Sequence, residues 1–443
     1  MRTTLLLISL LFYPLISNAQ YCIPNRFDTT AFSLNQIDSI YAQYGQNYNW
    51  QDPGIQKLYM DVFFPKGSVD TLAKRPLIVM IHGGGFYVGN RGWDTYYCRE
   101  LAKRGFVAAT IDYRIGWDFG FGQHYDTLPP QIVKGGAFGC MGDSISSLKA
   151  FYRALQDQKA AIRFLVHYAD TLINIDTNNI YVGGSSAGGV SSLGLQYVTQ
   201  DVFDTDFADL HLKDSLGPLD AATNTLTESF SLAGIFSMWG ALPDTSLINS
   251  SNSVPTLMMH CTGDSLVPCY SNNYYSCPNY AFGQGSGEIS KRLKTLNECY
   301  EFNYYDAPFP QNGCHNVYSY DYHIDRFSKF LKRQFCDDCR QITVENQVEI
   351  SNIVVTTGLS DDYTAENKLS IYPNPAGDNL HIRSSTTIMN VSIYNLTGEV
   401  MDIVDIQNNT ADILLDKLNS GVYFLIIRLL DDEVVSRKVI LNK

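Results

Sequence analysis

Short apolar runs alternate with amphipathic stretches between about Lys57 and Phe335. Several runs are rich in Val, Ile and Leu and lack a two-residue alternation, which is typical of strands covered on both faces. The runs predict the strands Leu58–Phe64, Leu77–Ile81, Val107–Ile111, Ile180–Val182, Thr256–His260 and Glu301–Tyr305.

The stretches between these runs predict helices near Asp94–Arg104, Ala150–Tyr168, Ile289–Leu296 and Asp321–Phe335. In the longest of them the apolar side chains fall on one helical stripe, which suits packing against a sheet. Strands and helices that alternate in this way predict an α/β domain with a mainly parallel central sheet.

The pattern changes after Cys339. Residues 340–366 are polar and have no helical period, so we predict a linker there. Residues 367–443 show short alternating segments separated by turn residues, which predicts a small all-β sandwich domain. The segments are Leu369–Tyr372, Asn379–Ile382, Asn390–Tyr394, Glu399–Val404, Gly421–Leu429 and Val434–Leu441.

The N-terminus has the features of a secretory signal. Arg2 precedes the apolar run Leu5–Ile16, and small residues follow at Ser17 and Ala19. This arrangement predicts a signal peptide over residues 1–19. A membrane anchor is the alternative, and it is disfavoured because the run is too short to span a bilayer. Residues 20–339 then form the α/β domain.

Charge and cysteine content narrow the function further. The 443 residues carry a formal net charge of −13 and no basic stretch, which argues against nucleic acid and anionic membrane surfaces as partners. We find no other run apolar enough for a transmembrane segment. All ten cysteines follow the predicted cleavage site, and an even number in an exported chain favours disulfides.

One glycine-flanked serine lies between a predicted strand and a stretch that can start a helix. The segment Gly184–Gly188 matches G-x-S-x-G, with Ser186 at its centre. A strand, a tight turn and a helix are the context in which such a serine acts as a nucleophile. A glycine-rich loop without chemistry is the alternative.

A second glycine motif follows the strand Leu77–Ile81. Three consecutive glycines come after His82, and they cost conformational entropy unless the backbone must approach a ligand closely. Ester hydrolysis has this need, because amide hydrogens stabilise the negative charge on the former carbonyl oxygen. A phosphate-binding loop is disfavoured, since no Gly-Lys-Ser/Thr follows. The predicted donors are Gly84, Gly85 and Ala187.

A serine nucleophile needs a base and an acid that orients the base. Asp264 follows the strand that ends at His260, and His315 lies in a loop after the last predicted strand of the α/β domain. The order Ser186, Asp264, His315 is that of the α/β-hydrolases. The other histidine in this region, His323, falls in a predicted helix and is interpreted as a packing or surface residue. We assign structural hydrogen bonds to His82 and His260.

With these motifs, the block from about Leu58 to Leu331 resembles the carboxylesterase and lipase branch of the α/β-hydrolase superfamily, which carries an HGGG motif. The resemblance implies that Ser186 is acylated, that His315 is the general base and then the acid, and that Asp264 orients it. We therefore expect a carboxylic-ester hydrolase that needs no metal or organic cofactor. A serine peptidase and an inactive surface adhesion protein are the alternatives. The ester is a small molecule or is carried by a polysaccharide.

The all-β domain is similar to the C-terminal sorting domains of type IX secretion substrates. The similarity lies in Ile371–Pro375, in Gly421–Phe424 and in the basic, apolar tail Arg437–Ile440. It implies export by that machinery to the cell surface or the medium. A carbohydrate-binding or adhesive sandwich is the alternative.

Two further hypotheses concern the surroundings of the site. The aromatic and glycine-rich segment Gly116–Gly142 is a candidate lid over the acyl site. A disulfide from Cys261 or Cys269 to Cys314 would join the acid and base loops, although we favour pairing of each elsewhere. Structural disulfides, rather than a redox site, are expected for Cys336 and Cys339.

Overall fold

A computed structural model describes residues 18–50, 54–119, 140, 142–310, 314–355, 369–374, 376–395, 400–430 and 434–443. Residue contacts divide the chain into two units, residues 1–355 and 356–443. Most of the predicted signal peptide and of the candidate lid, including residues 120–139, lies outside the described residues.

A mixed sheet forms the centre of the first unit. Its strands are β1 (Ile37–Tyr48), β2 (Ile55–Pro65), β3 (Arg75–Ile81), β4 (Val107–Ile111), β5 (Ile175–Ser185), β6 (Gly234–Met238), β8 (Thr256–Cys261), β11 (Tyr300–Tyr305), β12 (Arg340–Glu345) and β13 (Val348–Val354). Their spatial order is β1-β2-β4-β3-β5-β6-β8-β11-β12-β13. Neighbouring strands from β4 to β12 are parallel, whereas β1, β2 and β13 pair antiparallel. A smaller sheet contains β7 (Ala241–Leu242), β9 (Ser271–Asn273) and β10 (Phe282–Gly285).

The central strands explain the apolar runs in the sequence. Every residue of β3, β4, β6 and β8 is buried, because helices cover both faces of the sheet. On one face lie α1 (Thr95–Lys103) and α7 (Tyr320–Phe335), and on the other lie α2 (Ser144–His167), α3 (Ala187–Tyr197) and α6 (Ser286–Thr295). This mainly parallel, doubly covered sheet confirms the predicted α/β-hydrolase fold.

Short helices α4 (Gln200–Asp206) and α5 (Leu212–Leu216) follow α3 and contact each other. Among the residues that the structure describes, no helix is both long and apolar enough to span a membrane.

The predicted linker is wrong for residues 340–354, which form β12 and β13 at one edge of the sheet. Strand β12 pairs in parallel with β11 and buries Ile342 and Val344, while β13 is largely exposed. An edge strand is held mainly by backbone hydrogen bonds and one buried face, so it needs few apolar residues. Its composition is therefore hard to distinguish from that of a linker.

The described part of the second unit is an antiparallel sheet of β14 (Leu369–Tyr372), β15 (Asn379–Tyr394), β16 (Val400–Leu414), β17 (Gly421–Leu429) and β18 (Val434–Leu441). The all-β prediction is confirmed, and buried Leu380, Ile393 and Leu425 belong to one apolar core. Two predicted strands are a single long one, since β15 continues through a register shift between Arg383 and Ile388. Strand β15 pairs with β14, β16 and β17, so hydrogen bonds connect all five strands.

The boundary of the first unit gives a test by truncation. A chain of residues 20–355 is expected to fold, whereas one of residues 20–339 loses the buried side chains of Ile342 and Val344. Two such side chains contribute roughly 3–6 kcal/mol, so thermal denaturation should show the shorter chain melting at least about 5 °C lower. Equal melting temperatures would contradict the role assigned to β12.

Candidate active site

Ser186 lies at the sharp turn between β5 and α3. Its backbone has φ 55° and ψ −120°, a strained conformation for a residue with a side chain. The turn is fixed because the Ser186 N–H donates to the Met238 carbonyl at 2.8 Å, and its own carbonyl accepts the Val190 N–H at 2.8 Å. Such a turn exposes the hydroxyl beyond the carboxyl end of the strand.

Small residues on both sides of Ser186 let this turn approach β3. A Cβ atom at Gly184 or Gly188 would overlap the carbonyl oxygen of Ile81. Glycine is therefore required at both positions by close backbone packing, which is the physical content of the G-x-S-x-G pattern.

The structure brings Ser186, His315 and Asp264 together from three separate loops. His315 Nε2 lies 2.7 Å from Ser186 Oγ, and His315 Nδ1 lies 2.6 Å from Asp264 Oδ2. An ionised carboxylate only accepts hydrogen bonds, so Nδ1 carries the proton and donates to Asp264. Nε2 is then free to accept the Ser186 hydroxyl proton, which is the arrangement that makes a serine nucleophilic.

The Asp264 carboxylate is almost completely buried, with 1% of its surface exposed. Burial alone would raise the pKa of Asp264, but the charges and hydrogen bonds of His315 and His260 outweigh it and hold that pKa well below its usual range. The other carboxylate oxygen accepts the Leu266 and Val267 N–H groups at 2.8 and 3.2 Å. Asp264 therefore stays ionised and fixed in position.

His260 lies closer to this site than the sequence indicates. Its Nδ1 is 2.8 Å from Ser286 Oγ and its Nε2 is 3.0 Å from the Val267 carbonyl, so it makes structural hydrogen bonds. Its Nε2 also lies 3.5 Å from Asp264 Oδ2. The imidazole of His260 is therefore a second partner of the Asp264 carboxylate. The structure shows this role because the loop after β8 folds back beside the end of that strand.

His323, the other histidine near the end of this unit, is buried in α7 away from Ser186. It makes hydrogen bonds with the Tyr97 hydroxyl at 2.7 Å and the Val317 carbonyl at 2.9 Å. The interpretation of His323 as a packing residue agrees with these contacts.

The three glycines after His82 form a tight turn beside Ser186. Gly84 and Gly85 have φ of 104° and 58°, which glycine adopts without strain. The Gly84 carbonyl closes the turn by accepting the Tyr87 and Val88 N–H groups, both at 3.0 Å. Gly85 and Ala187 line the same cavity as Ser186.

His82 holds the start of this turn. Its ring stacks on Tyr113 with 4.2 Å between centroids, and its Nδ1 lies 2.8 Å from the Gly83 carbonyl. The Tyr113 hydroxyl donates to the His82 carbonyl at 2.9 Å. Burial lowers the pKa of His82 to about 4, so the imidazole is neutral at ordinary pH.

A cavity of about 360 Å³ opens next to Ser186. Three ring contacts, with centroids 5.9, 6.1 and 6.0 Å apart, connect Phe86, Phe151, Phe203 and Phe207 in a row along its wall. Other apolar residues of the lining include Leu148, Val190, Val198, Leu210 and Val267, and the polar residues Ser144, Ser147 and Asn279 also contribute to it. The cavity therefore suits an apolar group of a ligand bound next to Ser186.

Two disulfides involve cysteines close to the site or its cavity. Cys261, at the end of β8, pairs with Cys314, the residue before His315. The expectation that these cysteines pair elsewhere is thus wrong, and the bond joins the loop of the base to the strand that carries the acid. Cys140 pairs with Cys277, while Cys98 and Cys269 are buried and free. Cys336 and Cys339 pair with Cys22 and Cys299, as structural disulfides rather than with each other.

Across the described ranges, no group of three or more His, Cys, Asp or Glu side chains is arranged to hold a metal ion.

Two protein-family models match separate ranges of the chain. Residues 52–131 match the model of the carboxylesterase family, and residues 370–442 match that of the secretion system C-terminal sorting domain. The chain therefore joins a segment that is similar to the carboxylesterase family to one that matches a C-terminal sorting domain. The second match confirms the predicted export to the cell surface or the medium.

Individual relatives are similar over part of their length. The chain is 27% identical over 182 residues to juvenile hormone esterase of Tribolium castaneum, covering 40% of this chain and 27% of that protein. It is 34% identical over 143 residues to para-nitrobenzyl esterase of Bacillus subtilis (strain 168), covering 31% and 24%. The chain thus spans about a quarter of these curated relatives. The crystal structure of esterase B from Lactobacillus rhamnosis superposes with a TM-score of 0.41 at 16% identity, over 68% of this chain and 86% of that one.

The buried neutral His82 predicts a specific loss of stability in acid. Between about pH 6.5 and pH 4 the unfolded chain binds a proton at this imidazole and the folded chain does not, so stability falls as pH falls. Urea unfolding of residues 20–355 should show that lowering the pH from 7 to 4.5 costs about 2–3 kcal/mol more in the wild type than in His82→Gln. An identical pH dependence in both proteins would contradict a neutral, buried His82.

The Cys261–Cys314 disulfide predicts a local effect on the base. The double variant Cys261→Ser/Cys314→Ser should lose roughly 2–4 kcal/mol of stability and also react at least about tenfold more slowly with a fluorophosphonate, because His315 is less well fixed. The matched control is Cys299→Ser/Cys339→Ser, whose disulfide closes 40 residues compared with 53 and lies at the other end of β11. This control variant should lose a similar amount of stability but react with the fluorophosphonate at the wild-type rate. Equal slowing of both would show that the disulfide near His315 has no local role.

Proposed function

We propose that this protein is an exported serine esterase that hydrolyses carboxylic esters through an acyl-enzyme on Ser186. The observation that carries the proposal is the continuous hydrogen-bonded chain from Asp264 through His315 to Ser186, at 2.6 and 2.7 Å. It lies beside the amides of Gly85 and Ala187 in a cavity that a small ester can enter. The partial match to the carboxylesterase family supports the same chemistry.

In the acylation step, His315 Nε2 takes the proton from Ser186 Oγ while that oxygen attacks the ester carbonyl carbon. The carbonyl oxygen becomes an oxyanion, and the amides of Gly84, Gly85 and Ala187 donate to it. The bond to the alcohol oxygen then breaks, and the His315 proton is transferred to the departing alcohol.

Water completes the cycle by the same proton path. His315 removes a proton from a water molecule, whose oxygen attacks the acyl carbon bound to Ser186. The second oxyanion collapses, the Ser186 oxygen regains its proton, and the carboxylic acid leaves. Asp264 remains ionised throughout and stabilises the imidazolium that forms in each half-reaction. These residues supply every proton transfer, so we propose a reaction without a cofactor.

The cavity indicates what kind of ester enters. A wall of four phenylalanine rings offers little to a charged or strongly hydrated group, whereas an apolar acyl chain loses its contact with water there. We therefore propose substrates with an apolar acyl group longer than acetyl, whether free or carried on a polysaccharide. The type IX secretion machinery is the proposed partner of residues 367–443, on the basis of their sorting-domain match.

Removal of the nucleophile tests the activity itself. Ser186→Ala should lower kcat for a p-nitrophenyl ester by at least about 10⁴-fold and abolish labelling by a fluorophosphonate. Ser185→Ala, the adjacent serine, should still be labelled. Activity on a matched amide but not the ester would favour a peptidase, and absence of both with no labelling would favour the inactive adhesion protein.

The cavity predicts a dependence on acyl length. From acetyl to hexanoyl esters, kcat/KM should rise by up to about fourfold for each added methylene, because each is buried among apolar side chains. Val190→Phe, one turn of α3 from Ser186, should abolish this rise. The control Leu210→Phe places the same ring next to Phe207, at the other end of the row of phenylalanines. It should reduce only the rates for esters with longer acyl chains. A preference for acetyl in the wild type would contradict an acyl group in this cavity.

A further inference from the structure

Tyr275 lies in a strained turn between β9 and β10, outside every motif considered above. Its backbone has φ 58°, and that of the following Ser276 has φ 55°. A residue with a side chain pays a free-energy cost for this left-handed conformation, and strain of this kind concentrates at functional sites. The protein retains this conformation despite its cost, and the conformation determines where the two side chains are directed.

The backbone of this turn is attached to the loop of the catalytic acid. The Tyr275 N–H donates to the Leu266 carbonyl at 2.8 Å, and the Ser276 hydroxyl donates to the Ser265 carbonyl at 3.2 Å. The same loop supplies the N–H groups that bind Asp264. Tyr275 is therefore held at a fixed position relative to the acid.

The side chain of Tyr275 extends from that loop to the turn formed by Gly83, Gly84 and Gly85, which we call the oxyanion turn. A Cβ atom at Gly85 would lie only 2.6 Å from the Tyr275 hydroxyl oxygen, so the hydroxyl occupies the space that a side chain at residue 85 would need. Tyr275, Gly85, Ser186 and Ala187 all line the same cavity. A side chain at Gly85, the third glycine of the HGGG motif, would therefore clash with the Tyr275 hydroxyl. The positive φ of Gly85 also favours glycine at this position.

Neighbouring groups fix the ring. Phe119 and Tyr280 pack edge-on against it, each with 5.6 Å between centroids. Two residues later, Cys277 is tied to Cys140 by a disulfide. Burial also raises the pKa of Tyr275, so the phenol keeps its proton and can donate a hydrogen bond at neutral pH.

We propose that the Tyr275 hydroxyl is a fourth donor to the oxyanion, beside the amides of Gly84, Gly85 and Ala187. This inference rests on the proposed esterase function. The phenol donates its hydrogen bond to the carbonyl oxygen as charge develops there, and the proton stays on Tyr275 through both half-reactions. Because the Tyr275 backbone is hydrogen-bonded to the loop after Asp264, this donor also couples the position of Asp264 to that of the turn at Gly85.

The conservative variant Tyr275→Phe tests the donor, since it keeps the ring and removes only the hydroxyl. We expect kcat for a p-nitrophenyl ester to fall by about 10- to 100-fold with KM changed by less than about twofold. A trifluoromethyl ketone forms a hemiketal oxyanion on Ser186, and its inhibition constant should rise by the same factor as kcat/KM falls. The control is Tyr97→Phe, which removes a buried hydroxyl on the opposite face of the sheet and should leave both quantities unchanged.

Two results would overturn the inference while leaving the esterase function intact. One is a Tyr275→Phe protein whose kcat and ketone inhibition equal those of the wild type. The other is a change in KM alone, which a purely packing role would produce. If the wild type itself neither hydrolyses esters nor reacts with a fluorophosphonate, the proposed function fails and this inference falls with it.

Discussion

The arrangement of the candidate site depends on the burial of one carboxylate. Asp264 has almost no contact with solvent, and an ionised group in that position is stable only if its charge and its hydrogen-bonding capacity are both satisfied. Two backbone amides, His315 and His260 satisfy them. Because the imidazole of His315 is one of these partners, the stability of the buried charge also fixes the ring that faces Ser186.

The rest of the fold holds the partners of this carboxylate at one edge of a rigid sheet. The nucleophile turn follows β5, the oxyanion turn follows β3, and the acid follows β8, so parallel strands bring residues remote in the chain to the same edge. The base is on a longer loop, and there the Cys261–Cys314 disulfide adds a covalent connection. Such a bond persists in an oxidising environment, which agrees with the sorting domain at the C-terminus.

Sequence patterns predicted the parts of this molecule that local chemistry determines. Buried strands such as β3 and β8 stand out as apolar runs, and the glycines around Ser186 are needed for backbone contacts that almost no other residue permits. The edge strands β1 and β13 were missed because their mostly exposed side chains leave little apolar signal, and β12 was missed because Ile342 and Val344 are its only aliphatic residues. His260, Tyr275 and the pairing of Cys261 depend on which loops meet in space, and no spacing in the chain encodes that.

The geometry of the candidate site depends most on the short hydrogen bond from His315 Nδ1 to the buried Asp264 carboxylate. Proton NMR of residues 20–355 measures it directly, because a proton shared in such a bond resonates far downfield of the other ring protons. We expect one such resonance that disappears in Asp264→Asn and in His315→Gln and persists in Ser186→Ala. Absence of this resonance from the wild type, or its survival in Asp264→Asn, would show that His315 and Asp264 do not form this hydrogen bond.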